Sequence, residues 1–216
     1  AGRVLVIGGS AGLTGAPHLS ALAALRAGAG LVSIACPAGI NADVKYNCPD
    51  IMTLPLGARI SPLPVHWSES FPHGIMPLLP GNDAVVIGPG LGLSGGAYAF
   101  LSTLLTLCGE AEQLPPLVLD ADALTVLAAT PELIGSLPMA SVFTPHPGEA
   151  ARLLKTTVAD VEADRNAAMH ALMDLFPGTV LLKGAGTLIG RGNDCYFLPF
   201  IEPNLAVGGS GDVLAG

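Results

Sequence analysis

Charged residues are scarce in this sequence of 216 residues: Asp, Glu, Lys and Arg make up 12% of it, whereas 50% of the residues are hydrophobic. Basic residues are the rarer kind, with 9 Lys and Arg against 17 Asp and Glu, so the formal net charge is −8. The few basic residues form no stripe, and this composition argues against a nucleic-acid partner. The length and the apolar content predict one domain, over residues 1–216, with a large core.

Disulfide and metal motifs are missing as well. The four cysteines form no C-x-x-C pair and have no histidine at ligand spacing; they are Cys36, Cys48, Cys108 and Cys195. This pattern predicts free and mostly buried thiols, which are typical of a cytoplasmic protein. A strand-like run begins almost at the first residue, and no signal-peptide pattern precedes it.

Two stretches without charge, residues 4–25 and 84–109, are long enough to span a membrane. Both contain clusters of glycine and proline, which are typical of a loop between a strand and a helix. Loop backbone in lipid would leave its polar groups without hydrogen bonds. We therefore predict buried elements and no membrane span.

Short apolar runs alternate with helical patterns along most of the chain. Predicted strands lie at 4–7, 31–35, 51–54, 84–87, 117–119, 141–143, 180–182, 187–189 and 195–198. Predicted helices lie at 18–27, 96–107, 123–128, 149–154 and 158–175, and residues 55–74 are predicted to form a connecting loop. The alternation predicts an α/β fold, a three-layer α/β/α sandwich with a mostly parallel central sheet. The last residues, 208–216, begin a helix and stop within its first turns, which predicts a chain truncated at the C-terminus.

The strongest chemical motif is G-G-S-G-D, in which Gly209, Ser210 and Gly211 precede Asp212 at a predicted helix start. Backbone N–H groups at a helix N-terminus bind anions such as phosphate. Asp212 is expected to stay ionised there and to accept a proton from a hydroxyl group. An anion site beside a base suits phosphoryl transfer, although the motif alone also fits a tight turn with a capping Asp.

Two further motifs lie at predicted strand ends. Residues 183–187, K-G-A-G-T, join two strands in a Gly-rich hairpin that would let backbone approach a flat ligand, with a lysine charge for phosphates. Residues 144–149, T-P-H-P-G-E, follow a strand and open a helix. Glu149 could hold Mg²⁺ through water, or simply cap the helix. Each segment alone also fits an ordinary turn.

A fourth motif favours a different class of enzyme. Residues 90–95 match G-x-G-x-x-G between a predicted strand and a helix, and Asp120 ends the next strand. This arrangement would suit a Rossmann-type NAD-dependent dehydrogenase. However, the motif lies in mid-chain behind Pro89, and a dehydrogenase would leave the other three motifs unexplained.

Taken together, these segments resemble the ADP-dependent (S)-NAD(P)H-hydrate dehydratases of the ribokinase-like superfamily. The matching segments are residues 2–10 (GRVLVIGGS), 15–17 (GAP), 23–32 (AALRAGAGLV), 88–92 (GPGLG) and 119–124 (LDADAL), with the T-P-H-P-G-E, K-G-A-G-T and G-G-S-G-D motifs. They occur in family order over nearly the whole chain.

The resemblance implies a ribokinase-like fold and a role in nicotinamide-nucleotide repair. The expected reaction is ADP-dependent dehydration of (6S)-NADHX or NADPHX to NADH or NADPH, with release of AMP and phosphate, through phosphorylation of the C6 hydroxyl and elimination. Mg²⁺ is expected, with Glu149 as a water-mediated ligand, and ATP is an alternative co-substrate. A cytoplasmic homotetramer is also expected.

The resemblance also implies a role for each matching residue. The expected catalytic base is Asp212. The hydrate is expected to contact Ala16, Gly92, His146 and Asp212. The nucleotide is expected to bind to Lys183, Gly184, Ala185, Gly186, Thr187 and Gly211, and the anion hole is expected to consist of Gly209, Ser210 and Gly211. The C-terminal helices of the family are absent from this sequence, which puts part of the nucleotide pocket in doubt. The alternatives are a sugar or hydroxymethylpyrimidine kinase of the same superfamily, the dehydrogenase, and a nucleotide-sensing module without activity.

Overall fold

The computed structural model describes residues 2–216. A nine-stranded sheet runs through it in the order β3-β2-β1-β4-β5-β6-β7-β8-β9. The strands are β1 (Arg3–Ile7), β2 (Leu31–Pro37), β3 (Met52–Leu56), β4 (Ala84–Ile87), β5 (Leu117–Leu119), β6 (Val142–Phe143), β7 (Thr179–Leu182), β8 (Leu188–Arg191) and β9 (Asp194–Phe197). All pairings from β3 to β7 are parallel, and β8 and β9 add an antiparallel meander. Each predicted strand is present, with ends shifted by a few residues.

Helices cover both faces of this sheet. They are α1 (Gly15–Ala27), α2 (Asn41–Val44), α3 (Pro72–Ile75), α4 (Gly95–Glu110), α5 (Asp122–Ala129), α6 (Pro147–Leu154), α7 (Val158–Ala163), α8 (Arg165–Leu175) and α9 (Ser210–Ala215). Alternate strand residues feed two separate cores: Leu5 and Ile7 of β1 join one, and Val6 joins the other. The core around Val6 also receives α1, α2 and α9, whereas α3 to α8 pack into the opposite core. The predicted three-layer sandwich is confirmed, since side chains alternate between the faces of a strand.

The predicted helix over 158–175 is wrong in one respect, because it is two helices. Asp164 lies between α7 and α8 with non-helical backbone angles, φ −141° and ψ 82°, and its side chain accepts a hydrogen bond from the N–H of Ala167. An aspartate at such a position offers a capping acceptor that favours a new helix start. The break turns the chain and places Arg165 in the first turn of α8.

The prediction of a simple connecting loop over 55–74 also needs correction. β3 continues to Leu56, α3 begins at Pro72, and two aromatic residues between them belong to the core. Trp67 is 3% exposed, packs on Phe100 with ring centroids 4.2 Å apart, and donates a hydrogen bond from Nε1 to the carbonyl oxygen of Gly9 at 2.7 Å. This loop is therefore anchored beside the strand end of β1.

The order of the strands reverses between β1 and β4, and the loops that follow these two strands touch. The N–H of Gly9 donates to the carbonyl oxygen of Pro89 at 2.9 Å, and a Cβ on Gly8 would overlap that oxygen. In open α/β sheets such a reversal point leaves a ligand crevice at the carboxyl ends of the strands.

Within residues 2–216, no helix is both long and apolar enough to cross a membrane. All four cysteines are free, three of them buried and Cys195 exposed, as predicted. Burial raises the pKa of the Cys36 and Cys108 thiols to about 12, because the thiolate would lose its hydration.

Candidate active site

A buried ion pair lies where β5, β6 and β7 end. The Lys183 ammonium, just after β7, donates to Oδ1 of Asp120 at 2.7 Å, and the Thr144 hydroxyl donates to the same oxygen at 2.7 Å. Asp120 is 1% exposed, and Glu149 Oε2 lies 3.8 Å from the Lys183 ammonium. A carboxylate held by a charge and a hydroxyl has little freedom, so Asp120 fixes the position of the Lys183 side chain.

The T-P-H-P-G-E segment forms a capping box at the start of α6. His146 Nδ1 accepts hydrogen bonds from the N–H groups of Gly148 (2.9 Å) and Glu149 (3.3 Å), and Glu149 Oε2 accepts one from the N–H of His146 (2.7 Å). The capping role considered for Glu149 is thereby confirmed. Burial raises the pKa of Glu149 to about 7, although the Lys183 charge opposes this.

The same hydrogen bonds define what His146 can offer a ligand. Its Nδ1 is an acceptor, so the proton of the neutral ring is on Nε2. Burial, and then the positive charges of Lys183 and Arg152, lower the pKa of His146, while its side chain remains 49% exposed. A neutral, half-exposed imidazole with an Nε2–H can donate a hydrogen bond to a substrate.

The G-G-S-G-D segment brings the start of α9 next to Lys183. Gly209 has φ +90°, a left-handed conformation that favours glycine, and α9 begins at the next residue. A Cβ placed on Gly211 would lie 3.5 Å from the Lys183 ammonium. A contact with α1 also holds this helix in place, since the Ser20 hydroxyl donates a hydrogen bond to the Asp212 carbonyl oxygen at 2.8 Å. The predicted anion hole and the predicted nucleotide lysine therefore face each other.

Asp212 itself is half-buried, in the first turn of α9. Burial and the negative charge of Asp120 raise its pKa; Lys183 works against this shift, and Asp122 adds to it. The sequence argument weighted the helix N-terminus, which would lower the pKa, but desolvation and two neighbouring carboxylates outweigh it. Asp212 therefore binds a proton more readily than an exposed aspartate, and its expected ionisation stays a prediction.

Ala16 and Gly92 lie together on the β1 and β4 side of the site. A Cβ on Gly90 would lie 3.1 Å from Cβ of Ala16, and one on Gly92 would lie 3.3 Å from Oγ of Ser10. The N–H of Gly92 donates to Asp122 Oδ2 at 2.7 Å. The negative charge of Asp122 also raises the pKa of Asp212, so the residue that binds the Gly92 N–H lies near the proposed base.

The K-G-A-G-T hairpin is closed by its own side chain and backed by an arginine. Thr187 Oγ1 donates to the Gly184 carbonyl oxygen at 3.1 Å, and the Arg165 guanidinium donates to the carbonyls of Leu182, Lys183 and Gly186. A cavity of about 450 Å³ opens beside the hairpin tip, between α7, α8 and β9, and is lined in part by Asn166 and Phe197. It neighbours the charged site but includes neither Lys183 nor Asp212.

Several of these residues were not singled out from the sequence. Thr144 and Asp122 stood inside quoted motifs without a role, and their positions just after strand ends were a usable signal. Arg165 and Ser20 carried no signal, because each acts on a segment far away in the sequence.

The G-x-G-x-x-G motif does not form a dinucleotide fingerprint here. It follows β4 instead of β1, and a Cβ on Gly90 would lie 2.5 Å from the carbonyl oxygen of Leu13. Ser94 caps α4 by accepting a hydrogen bond from the N–H of Ala97 at 3.3 Å. These residues shape the contact between two loops of the protein, which does not favour a dehydrogenase.

Solved structures with the same architecture define the class. A hypothetical protein from Streptococcus mutans matches with a TM-score of 0.78 and 25% identity, over 99% of this chain and 71% of that one. A ribokinase-like superfamily protein from Enterococcus faecalis matches with a TM-score of 0.75 and 26% identity, over 99% of this chain and 68% of that one. A Bacillus subtilis ADP/ATP-dependent NAD(P)H-hydrate dehydratase, co-crystallised with ATP and Mg²⁺, matches with a TM-score of 0.71 and 24% identity, over 99% of this chain and 69% of that one. The fold is ribokinase-like.

Within that class, a family model described as NAD(P)H-hydrate dehydratase matches residues 4–216. An ADP-dependent (S)-NAD(P)H-hydrate dehydratase from Neisseria meningitidis is 39% identical over 218 residues, covering all of this chain and 67% of that protein. A bifunctional NAD(P)H-hydrate repair enzyme from Coxiella burnetii is 39% identical over 216 residues, covering 100% and 40%. The chain belongs to the NAD(P)H-hydrate dehydratase family, and it spans about two fifths of the length of its bifunctional relatives.

Proposed function

We propose that this protein repairs hydrated nicotinamide nucleotides by the ADP-dependent dehydration of (6S)-NADHX or NADPHX, releasing AMP and phosphate. Family membership and the named activity of the Neisseria meningitidis relative support the reaction. The observation that carries it is the position of the Lys183 ammonium, which is bound to buried Asp120 and lies beside Gly211, one residue before Asp212. Phosphoryl transfer needs a positive charge, amide donors and a base close together, and these groups provide them.

In the first step Asp212 accepts the proton of the C6 hydroxyl while the hydroxyl oxygen attacks the terminal phosphorus of ADP. The new O–P bond forms as the bond to the AMP oxygen breaks, and the Lys183 ammonium stabilises charge on the transferred group. Gly209, Ser210 and Gly211 form the anion hole, although the N–H of Ser210 already donates to the Val207 carbonyl at 3.3 Å. Gly209 and Gly211 therefore contribute most of the backbone donors.

In the second step phosphate leaves from C6, which hydroxide would do poorly. The lone pair of the ring nitrogen forms a C=N bond as the C–O bond breaks, and loss of a proton from C5 restores the reduced nicotinamide ring. The enzyme's part in this step is to hold the ring and its phosphate in place and to limit access of water.

The binding roles of the remaining residues belong to the same proposal. Ala16 and Gly92 contact the hydrate where the loops after β1 and β4 meet, and His146 donates from Nε2–H to it. Lys183, Gly184, Ala185, Gly186 and Thr187 bind the nucleotide together with Gly211. The proximity of Gly92, Asp122 and Asp212 supports a substrate that reaches from the first loop pair to the base.

Mg²⁺ fits this site only as a partner of the nucleotide. Residues 2–216 contain no group of three His, Cys, Asp or Glu side chains that could hold a metal ion. The Glu149 carboxylate is engaged by the His146 N–H and lies 3.4 Å from His146 Nε2, so a water-mediated contact is what it can add. We propose that the nucleotide phosphates hold the ion, which neutralises their charge, as Mg²⁺ commonly does.

The homotetramer and the cytoplasmic location remain predictions for this chain. Light scattering of the purified protein measures the first, and fractionation of cells measures the second. A monomer in solution would contradict the expected assembly without affecting the proposed chemistry.

The deciding experiment incubates the full-length protein with hydrated NADH, Mg²⁺ and either ADP or ATP, and follows the absorbance of reduced nicotinamide. We expect recovery of NADH that depends on the nucleotide, with AMP and phosphate as products when ADP is used. A stable phosphorylated product without recovery of NADH would favour a kinase instead. No recovery with either nucleotide from folded protein would reject the proposal.

A further inference from the structure

Arg165 makes an unusual set of contacts with the K-G-A-G-T hairpin. Its Nη2 donates to the carbonyl oxygens of Leu182 and Lys183 at 3.2 Å each and of Gly186 at 3.4 Å, while Nη1 donates to Glu162 Oε1 at 2.9 Å. The side chain is only 15% exposed. One guanidinium thus binds two carbonyls of the hairpin and that of Leu182 at the end of β7, all 17 or more residues away in the sequence.

We infer that Arg165 is a positioning residue for nucleotide binding. It binds the carbonyl oxygens of the hairpin, and it thereby keeps the hairpin N–H groups directed toward the nucleotide. In a trans peptide the C=O and N–H point in opposite directions, and the only cis peptide among residues 2–216 is Ser61-Pro62. Since the Lys183 and Gly186 carbonyls point at Arg165, the N–H groups of Gly184 and Thr187 point away from it. This inference rests on the proposed function, which makes residues 183–187 the nucleotide loop.

The hydrogen bonds of the loop support this orientation. Within the part of the chain that the structure describes, the N–H groups of Gly184 and Ala185 have no acceptor, whereas that of Gly186 donates weakly to the Phe200 carbonyl at 3.4 Å. Backbone donors left open at a loop that faces an anion site are suited to bind nucleotide oxygens.

Gly184 takes on a second purpose in this arrangement. It has φ +141°, and a Cβ there would lie 2.8 Å from Arg165 Nη1. The sequence suggested that this glycine lets a ligand approach, but the space that its missing Cβ leaves is filled by the guanidinium. The absence of a side chain at Gly184 therefore makes room for the Arg165 guanidinium on one side of the hairpin, while the other side stays open to the ligand.

A lysine could not replace Arg165, since Nη1 holds Glu162 while Nη2 contacts the three carbonyls, and a lysine has only one nitrogen for both tasks. Arg165 contacts neither Asp212 nor the Lys183 side chain, so its loss should weaken nucleotide binding and leave the chemistry of the bound complex largely intact. A residue needed only for folding would instead reduce the fraction of active protein, which lowers the apparent kcat and leaves the KM for ADP unchanged.

The test compares wild type, Arg165→Lys and the control Arg191→Gln in the full-length protein. Arg191 also donates to a backbone carbonyl, that of Met139 at 3.3 Å, but lies exposed at the end of β8. Calorimetry with ADP and Mg²⁺ should show a Kd about tenfold or more weaker for Arg165→Lys and unchanged for Arg191→Gln. The KM for ADP should rise by a similar factor, with kcat and the KM for the hydrate changed much less.

Chemical rescue provides the second measurement, in case Arg165→Lys is unstable. Arg165→Ala, whose folding is checked by circular dichroism, should regain part of its ADP affinity when guanidinium ion is added at low, non-denaturing concentration, and Arg191→Ala should not respond. Unchanged ADP affinity in folded Arg165→Lys, or a loss of all parameters without rescue, overturns the inference. Failure of the wild type itself to bind ADP or ATP rejects the proposed function, and the inference with it.

Discussion

At the scale of single residues, the site depends on carboxylates in different environments. Asp120 is buried and neutralised by Lys183, whereas Asp212 is half-buried and has its pKa raised by burial and by Asp120. Asp120 therefore does two things: it fixes Lys183, which we propose faces the phosphate, and its negative charge makes Asp212 a better proton acceptor. Neither effect can be read from the residue types alone.

Asp212→Asn should abolish the dehydration reaction while leaving the nucleotide bound. An amide cannot accept the hydroxyl proton, so we expect kcat to fall by about 10²–10⁴-fold or more. Calorimetry with ADP should show affinity within a few-fold of wild type, and the exposed control Asp174→Asn should behave like wild type. Residual activity close to that of wild type would show that another group is the base.

Asp120→Asn should move the pH dependence of the reaction. The proposed mechanism requires ionised Asp212, so kcat/KM should fall as the pH drops through the raised pKa of that group. Removing the Asp120 charge removes one cause of the raised pKa and leaves Lys183 to lower it, so the acid limb should shift to lower pH. A pH profile of kcat/KM measures this, and a shift toward higher pH would contradict the assignment. The KM for ADP should also rise, because Lys183 loses its anchor.

At the scale of elements, two helix starts carry the site. α6 begins with a capping box made from His146 and Glu149, which orients the imidazole. α9 begins after a left-handed glycine, and its second residue, Gly211, lies beside the Lys183 ammonium. The T-P-H-P-G-E and G-G-S-G-D motifs were recognised as helix starts from the sequence, because caps and glycines act locally.

Gly209→Ala should disturb the start of α9, and Gly208→Ala provides a matched control. At Gly209 φ is +90° and a new Cβ would lie 2.6 Å from Cδ1 of Leu19, whereas a Cβ on Gly208 would meet nothing within 4 Å. The strained position should cost about 1–3 kcal/mol and misplace the anion hole. We expect kcat/KM to fall at least tenfold for Gly209→Ala only. Equal effects of the two substitutions would argue against this role of the turn.

Glu149→Gln should change the pH dependence of stability. The folded-state pKa of Glu149 is about 7 against an ordinary value of 4.5. Between these values the folded protein keeps a proton that the unfolded chain releases, so the free energy of unfolding decreases as the pH rises through this window, by roughly 3 kcal/mol at most.

Urea unfolding at about pH 5 and about pH 8 measures this effect without nucleotide. Gln keeps a carbonyl oxygen for the His146 N–H but does not titrate, so the variant should lose less stability between the two pH values. Identical losses in wild type and Glu149→Gln would contradict the raised pKa.

At the scale of the whole molecule, the site exists only where strands from distant parts of the chain end side by side. The loops after β1 and β4 touch through Gly8 and Pro89, and a Cβ on Gly88 would overlap the Asp120 carbonyl oxygen at the end of β5. Close backbone contact at the reversal of strand order therefore connects the side proposed to bind the hydrate with the ion pair. The fold thereby fixes the distance between the Gly92 loop and the Lys183–Asp120 ion pair.

Gly88→Ala should destabilise the whole protein. Gly88 has φ +129°, and the added methyl group cannot coexist with the Asp120 carbonyl, so we expect a loss of about 3 kcal/mol or more in the free energy of unfolding. Gly74→Ala, in α3 with open space around its Cβ position, should be nearly neutral. Thermal or urea denaturation measures both, and a stable Gly88→Ala protein would contradict the close packing of these loops.

The sequence by itself determined the strands, the three-layer sandwich and the segments that carry chemistry. Continuous apolar runs, glycine clusters and capping residues act over a few positions, so their consequences are local and readable. It did not determine the break at Asp164 within the predicted helix 158–175, because a helical pattern of side chains continues through that position.

Only the tertiary structure decided the partners and the protonation of the site. Lys183 and Asp120, which form an ion pair, lie 63 positions apart in the sequence. Asp120, which raises the pKa of Asp212, lies 92 positions before it. Arg165 binds hairpin carbonyls that lie 17 or more positions away. Burial and Coulomb interactions depend on distance in space, and that distance is set when the parallel strands align their carboxyl ends.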